Sequence, residues 1–213
     1  MRVVVLLVMV VLLISVLGGC CSVPPPLAYR PPKSSPPTPA AVRKFLAAFP
    51  REYNQQFFAG VNAQGHRFSM IGQIKGRFPG PLRVTCASEF GTLLCDVRVS
   101  GDTPTVLHRA AEFPESLAQH LAVDIALALR LPTADVPALP RFHISGHTLV
   151  LNIDHQTDTF AGPGGFLRVC RVNSARHNIE IQYQNYRRGT FPRKLLIWDA
   201  GHCLLLTINF DAQ

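Results

Sequence analysis

The sequence predicts an α+β domain built mostly of antiparallel strands. Several segments alternate apolar and polar residues with the period of a strand, most clearly over residues 179–184 and 204–210. Only short connections separate most neighbouring strand-like segments, which favours hairpins over parallel crossovers. Two segments with helical periodicity complete the pattern. We therefore expect roughly nine strands and two helices around one buried sheet face.

The first residues have the features of an export signal. Arg2 precedes an apolar run over residues 3–17, and the segment ends on Leu17-Gly18-Gly19-Cys20. This organisation is typical of a secretory signal rather than of a transmembrane helix. The ending resembles the lipobox of bacterial lipoproteins, which implies cleavage before Cys20 and acylation of that cysteine. The alternative is an ordinary signal peptide that happens to end in cysteine.

A proline-rich segment follows the signal. Eight prolines lie between Ser22 and Pro39, so this stretch cannot bury a core and favours extended polyproline structure. At about 3 Å per residue it would hold the domain up to roughly 50 Å from its anchor. The expected organisation is a signal peptide over 1–19, a lipidated tether over 20–40 and a single domain over 41–213.

Two helices are predicted in the domain. Thr38-Pro39 supplies an N-cap and a first-turn proline for a short amphipathic helix that ends at Pro50. Residues 114–131 form the stronger prediction, because Pro114 and Glu115 suit a first turn and Pro132 ends the segment. The apolar stripe of this second helix belongs in a core or against a lipid-like ligand.

The first strands are predicted as two hairpins. Residues 53–62 and 66–75 are joined by a turn containing Gln64-Gly65. In the second hairpin, residues 82–88 and 92–99 pair so that residue numbers sum to 181, which separates apolar from polar faces. A four-residue loop then places Phe90 at its tip. The predicted apolar pairs are Leu82–Val99, Val84–Val97, Cys86–Cys95 and Ser88–Leu93.

The cysteines are compatible with an oxidising compartment. Cys86 and Cys95 face each other in this register within reach of a disulfide, which we expect, with two buried free thiols as the alternative. The pairing of Cys170 with Cys203 is left open. No pair has the C-x-x-C spacing of a zinc or redox site, so neither a metal nor a cofactor is predicted.

The remaining strands are predicted at 104–109, 147–153, 166–172, 178–186, 192–198 and 202–210. Between them, His143, His147, Asp154 and His155 cluster in the sequence but lack a partner at ligand spacing. We interpret them as surface residues around a turn. Neither a nucleophile elbow nor a complete phosphate-binding loop is present, so no enzyme is predicted.

The chain resembles the LolB-type lipoproteins of the LolA/LolB lipoprotein-carrier fold. The resemblance lies in the lipobox at Cys20, in Ser88-Glu89-Phe90-Gly91-Thr92, and in the runs at 179–186, 191–195 and 204–208. It implies a curved, incomplete antiparallel barrel with helices covering the concave side. It also implies an apolar interior that accepts acyl chains.

The resemblance also suggests particular site residues. Phe90 and Gly91 fall where LolB-type proteins place a protruding apolar residue before glycine, which implies a cargo-transfer tip. Here phenylalanine replaces the usual leucine and Glu89 the usual proline; a turn aromatic folded onto its own domain is the alternative. The residues expected to line the hydrophobic cavity are Leu82, Val84, Val97, Val99, Leu117, Leu121, Ile125, Ile179, Ile181, Leu204, Leu206 and Ile208.

These observations predict a non-enzymatic outer-membrane lipoprotein that binds or delivers acylated cargo, a lipoprotein or a lipid, at the periplasmic face. Its expected partners are membrane lipid through Cys20, an acyl-chain or lipoprotein cargo and a periplasmic carrier protein. The net charge of +8 suits anionic headgroups, and export disfavours nucleic acid. Cys21 occupies the position where an aspartate would signal inner-membrane retention. The alternatives are a scaffold in envelope assembly and a hydrolase of envelope lipids.

Overall fold

The computed structural model describes residues 38, 40, 41, 50–130, 142–145, 148–153, 156–161, 169–173, 178–186 and 192–210. The predicted signal peptide, almost all of the predicted tether, and His147, Asp154 and His155 lie outside these residues. The described core extends from Tyr53 to Phe210. A chain of residues 22–213 therefore retains every residue of that core.

The described residues form one helix of substantial length and twelve strands in a single sheet. The strand order is β5-β4-β3-β2-β1-β12-β11-β10-β9-β8-β7-β6, and all neighbours are antiparallel. The elements are β1 Glu52–Ala63, β2 His66–Arg77, β3 Leu82–Ala87, β4 Leu93–Ser100, β5 Thr103–Arg109, α1 Glu115–Arg130, β6 Phe142–Ser145, β7 Thr148–Ile153, β8 Gln156–Ala161, β9 Val169–Asn173, β10 Asn178–Tyr186, β11 Pro192–Asp199 and β12 Leu204–Phe210.

The predicted antiparallel sheet is confirmed, with two strands that the sequence did not reveal. One is β6, which has only four residues, and the other is β8, whose sequence QTDTFA is mostly polar. In β6 only Phe142 and Ile144 alternate with polar residues, which is too short a run to indicate a strand, and β8 lacks apolar alternation. Both lie in the half of the sheet that contains β6 to β12, which joins the other half through the pairing of β1 with β12.

Helix α1 shows that the sheet is curved. It contacts β4 and β5 at one side and also β11, although four strands separate β4 from β11. In a flat sheet those two strands would be roughly 24 Å apart, which is about twice the diameter of a helix. The sheet therefore curls around α1, and the predicted incomplete barrel with a helix on its concave side is confirmed.

Two buried tyrosines fix the end of α1 within the sheet. Tyr53 on β1 donates a hydrogen bond to the carbonyl of Leu129 (3.3 Å), and Tyr183 on β10 donates to that of Ala128 (3.0 Å). Carbonyls in the last turn of a helix have no partner within the helix, so these bonds satisfy them. Every residue from 121 to 129 is buried. The C-terminal half of α1 is thus part of the core.

The capping predicted at the domain start is confirmed. The backbone N–H of Ala41 donates to the Thr38 hydroxyl (3.2 Å), and residues 40 and 41 are helical. The apolar stripe predicted for residues 42–49 lies outside the described residues.

The β1–β2 hairpin is confirmed, and its turn has two residues. Gln64 and Gly65 both have positive φ (50° and 88°), as a type I′ turn requires. This turn aligns Ala63 with His66 and sets the register along both strands.

The β3–β4 register is confirmed except next to the loop. Cys86 pairs with Cys95 as predicted, but Ala87 pairs with Leu93, so the predicted pair Ser88–Leu93 is wrong. The N–H of Ser88 donates to the carbonyl of Thr92 (2.8 Å) and closes a three-residue loop in which Gly91 has a φ of 82°. The left-handed glycine and a bulge accommodate the odd loop length.

A glycine on β2 accommodates a core aromatic ring. Gly72 lies opposite Phe57, and an added Cβ would lie 2.1 Å from Cζ of that buried ring. We expect Gly72→Ala to lower the free energy of unfolding by about 1–3 kcal/mol, as overpacking does in well-packed cores. Equilibrium denaturation measures the change.

Gly60 on β1 is the matched control for this substitution. No atom lies within 4 Å of the Cβ that alanine would add there. Gly60→Ala is therefore expected to be neutral or to stabilise by about 0.4–1 kcal/mol. Equal stabilities for the two variants would contradict the packing of Phe57 against Gly72.

Candidate functional site

A cavity of about 690 Å³ lies between the β1–β2 turn, the start of β4 and the first turns of α1. Its volume is within the range of small-molecule sites. Its apolar lining residues are Ala63, Phe68, Leu94, Phe113, Pro114, Leu117 and Leu204. Its polar lining residues are Gln64, His66, Ser69, Ser88, Glu112, Ser116, His120 and His202.

The aromatic wall of the cavity is held by the connection between β5 and α1. Phe68 and Phe113 pack edge to face, with ring centroids 6.0 Å apart. Nη1 of Arg109 donates to the carbonyls of Ala110 (3.1 Å), Ala111 (3.1 Å) and Phe113 (2.9 Å). These bonds satisfy backbone groups of the connection, so they keep Phe113 at the cavity wall before α1 begins.

The predicted cavity residues separate into two groups. Leu117 and Leu204 line the cavity. The other ten are buried in the core between the sheet and α1: Leu82, Val84, Val97, Val99, Leu121, Ile125, Ile179, Ile181, Leu206 and Ile208. Alternation identifies the buried face but not where packing leaves space. The sequence analysis therefore missed Phe68, Leu94 and Phe113, whose only sequence signal is their position near turns.

The predicted tip residues project beside the cavity. Phe90 is 97% exposed, so the alternative in which it folds onto its own domain is wrong. Gly91 follows it with positive φ. Ser88, two residues before Phe90, lines the cavity. The loop therefore stands at the cavity rim with an unburied aromatic ring.

The predicted disulfide between Cys86 and Cys95 is not formed. The two residues face each other in register, but both are free and buried thiols. A hydrogen bond with Cys95, together with burial, raises the pKa of Cys86 well above that of an exposed thiol. The register brings the side chains together, and the interaction between them is this hydrogen bond rather than a covalent one.

Cys203 in the β11–β12 turn is disulfide-bonded, and its carbonyl accepts a hydrogen bond from Gln64 N–H (3.1 Å) in the β1–β2 turn. The side chain of Cys170 lies outside the described part of the chain, so the pairing of Cys170 with Cys203 stays open.

Four ionisable side chains meet where the β11–β12 turn contacts α1, and the sequence analysis did not find them. The rings of His120 and His202 stack with centroids 3.4 Å apart. Nδ1 of His202 lies 2.5 Å from Oδ2 of Asp199, whose Oδ1 accepts the N–H groups of Gly201 (2.8 Å) and His202 (3.3 Å). Asp124, one turn after His120, is also buried. We refer to these four side chains as the His–Asp cluster.

Asp124 is an unsatisfied member of the His–Asp cluster. Its Oδ2 has no hydrogen-bond partner among the described residues. Burial, and then the charge of Asp199, raise the pKa of Asp124 well above its usual value. This carboxyl group is therefore protonated under conditions in which an exposed aspartate is charged.

This raised pKa makes stability depend on pH. Above about pH 4 the unfolded chain releases the Asp124 proton while the folded chain retains it, so stability falls as pH rises toward the folded-state pKa. We expect Asp124→Asn, which cannot ionise, to gain stability relative to wild type as pH rises from about 4 to about 7. Thermal unfolding across that range measures the difference; a gap that is constant with pH would contradict a protonated Asp124.

The described part of the chain contains no cluster of three or more His, Cys, Asp or Glu side chains able to hold a metal ion. Among the same residues, no helix is long and apolar enough to cross a membrane.

Comparison with known proteins identifies the fold. No family model and no curated protein match the chain. A LolA-superfamily protein from Nitrosomonas europaea is similar over 81% of this chain and 90% of its own length, with a TM-score of 0.51 and 11% identity. This similarity concerns the fold, and the chain has the curved-sheet fold of LolA-type proteins.

Two further solved structures are less similar. One is a DUF1329-family protein from Desulfovibrio piger, with a TM-score of 0.45, 8% identity and coverage of 83% of this chain and 92% of its own. The other is a domain described as outer-membrane lipoprotein-sorting from Vibrio parahaemolyticus, with a TM-score of 0.40, 8% identity and coverage of 81% and 89%.

Proposed function

We propose that this protein is a lipid-anchored carrier of the outer membrane that binds or delivers acylated cargo at the periplasmic face. The cavity beside α1 is the observation that carries the proposal. It has room for a small ligand, and Phe68, Leu94, Phe113 and Leu117 give it an apolar wall. An apolar hollow of this size gains stability when a hydrocarbon chain replaces water in it.

The exposed tip supports delivery as well as binding. Phe90 is the most exposed of the large apolar side chains described, at 97%. An aromatic ring that is exposed to water on its own domain gains burial of its apolar surface when it enters a membrane. Because the loop is at the cavity rim, insertion of Phe90 would bring the cavity opening close to the acyl region of the bilayer.

The proposed membrane localisation is supported by the sequence. Acylation of Cys20 would anchor the chain, and the proline-rich segment after it would allow the domain to reach from the membrane surface. The net positive charge favours anionic headgroups. The proposed partners are membrane lipid, an acylated cargo and a periplasmic protein that hands the cargo over.

The proposed lipid anchor at Cys20 leads to a separate prediction. Mass spectrometry of the protein extracted from cell envelopes is expected to find Cys20 as the first residue, carrying acyl groups. An N-terminal peptide that keeps residues 1–19, or a Cys20 without added mass, would contradict it. The result is independent of whether the cavity takes a ligand.

A scaffold function is the second candidate, and the burial of α1 favours it. Every residue from 121 to 129 is buried, and Tyr53 and Tyr183 both bond the last turn of the helix. A helix fixed in this way does not move aside to enlarge the cavity. The carrier proposal therefore requires that the cargo chain fit the existing space beside the first turns of α1.

Native mass spectrometry distinguishes the two functions. The chain of residues 22–213, purified from the periplasm, is expected to carry a co-purified acyl compound or to take up one fatty-acid probe per molecule. An apo mass that stays unchanged with excess probe would contradict the carrier and support the scaffold. Lysozyme at the same probe concentration controls for adventitious adducts.

A further inference from the structure

The His–Asp cluster adds polar side chains to the lining of the cavity that also has the aromatic wall. His120 and His202 both line the cavity, and their rings stack against each other. With Asp199 ionised, Nδ1 of His202 carries the hydrogen that bonds Oδ2. Nε2 lies on the opposite side of the ring and so points away from Asp199. The buried carboxylate thereby holds one imidazole in a defined orientation at the cavity surface.

The balance of charges in the cluster favours the binding of one anion. Burial and the charge of Asp199 raise the pKa of Asp124, which disfavours a second negative charge in the cluster. If both rings are protonated, their two positive charges face the single carboxylate of Asp199, and one positive charge is uncompensated. The other charged or titratable groups lining the cavity are His66 and Glu112, which are both exposed.

We propose that His120 and His202 bind the anionic head group, a carboxylate or a phosphate, of an acyl chain whose tail lies against the aromatic wall. This inference deepens the proposed function and rests on it, since the chain must first enter the cavity. A bound anion would offset the repulsion between the two protonated rings and would receive hydrogen bonds from them. Without such donors, an anionic group in an apolar cavity is strongly disfavoured.

Two probes that share the same acyl chain and fluorophore but differ at the head group test the site. The first is 11-(dansylamino)undecanoate, and the second is its uncharged methyl ester. Binding to residues 22–213 is followed by dansyl fluorescence at about pH 6 and about pH 8, where the free carboxylate stays ionised. At the lower pH we expect the carboxylate to bind about tenfold more tightly than the ester, equivalent to one charge-assisted hydrogen bond. At the higher pH this preference is expected to disappear.

Glutamine variants test whether His120 and His202 cause the preference for the carboxylate probe. His120→Gln and His202→Gln are each expected to remove the preference for the carboxylate, measured as the ratio of carboxylate to ester affinity on the same variant, and the melting temperature reports whether the fold is intact. His108→Gln is the control, because His108 is an exposed histidine on β5 that does not line the cavity. It is expected to behave as wild type.

The possible outcomes separate this inference from the proposed function. If both probes bind the wild type equally at the lower pH, or if both cluster variants keep the preference, the head-group site is overturned while the carrier stands. If neither probe binds, the carrier proposal fails and this inference fails with it. Displacement of the carboxylate probe by an equal concentration of inorganic phosphate would identify a site for free anions and overturn the acyl-chain assignment.

Discussion

Phe90→Glu is expected to reduce delivery of acylated cargo to liposomes by about 30-fold while leaving cargo binding unchanged. The exposed ring contributes about 2 kcal/mol when it is buried in a bilayer, and glutamate contributes nothing comparable. Because Phe90 makes no buried contact with its own domain, the melting temperature should also be unchanged. Transfer of a fluorescent acyl probe from the protein to vesicles measures the effect.

Leu107→Glu is the matched control for the tip. Leu107 is another exposed apolar residue, 52% accessible, but it lies on β5 and does not line the cavity. The same charge change there is expected to leave the transfer rate within about twofold of wild type, a difference of about 0.4 kcal/mol. If the two variants lose delivery equally, net charge rather than insertion of the tip controls transfer.

Leu117→Trp is expected to weaken acyl-probe binding at least about tenfold, because the larger ring would occupy the space the chain needs. Leu117 lies on the first turns of α1, is partly buried and lines the cavity. Its replacement therefore enlarges a side chain next to empty volume rather than within the packed core. Isothermal or fluorescence titration measures the loss, and denaturation checks that the fold persists.

Leu107→Trp controls for the added aromatic surface. It introduces the same ring on β5, away from the cavity, and is expected to bind the probe as wild type does. Wild-type affinity in Leu117→Trp would place the bound chain elsewhere on the protein and contradict the cavity as the cargo site.

The alternation of apolar and polar residues along the chain was sufficient to predict the antiparallel sheet and much of its register. The alternation around Val84 and Val97 permitted only one pairing, and the structure has that pairing. The prediction failed beside the loop, because the bulge depends on Gly91 adopting positive φ. The pattern of apolar residues does not distinguish a four-residue loop from a three-residue loop.

The cavity and the His–Asp cluster could not be predicted in the same way. Leu121 and Leu117 carry the same apolar signal, yet one is core and the other faces empty space. His120 and His202 lie in different elements, and only the curvature of the sheet around α1 brings their rings together. Turn residues such as His202 give no sequence signal of what they will contact.

The central claim, that an acyl chain occupies the cavity beside α1, is tested most directly by photo-crosslinking. A fatty acid with a diazirine near its terminal carbon is bound to residues 22–213, irradiated and mapped by peptide mass spectrometry. We expect labels on Phe68, Leu94, Phe113 or Leu117, which line the cavity. Labels confined to Phe58 and Ile71, an exposed apolar pair on β1 and β2, would contradict it.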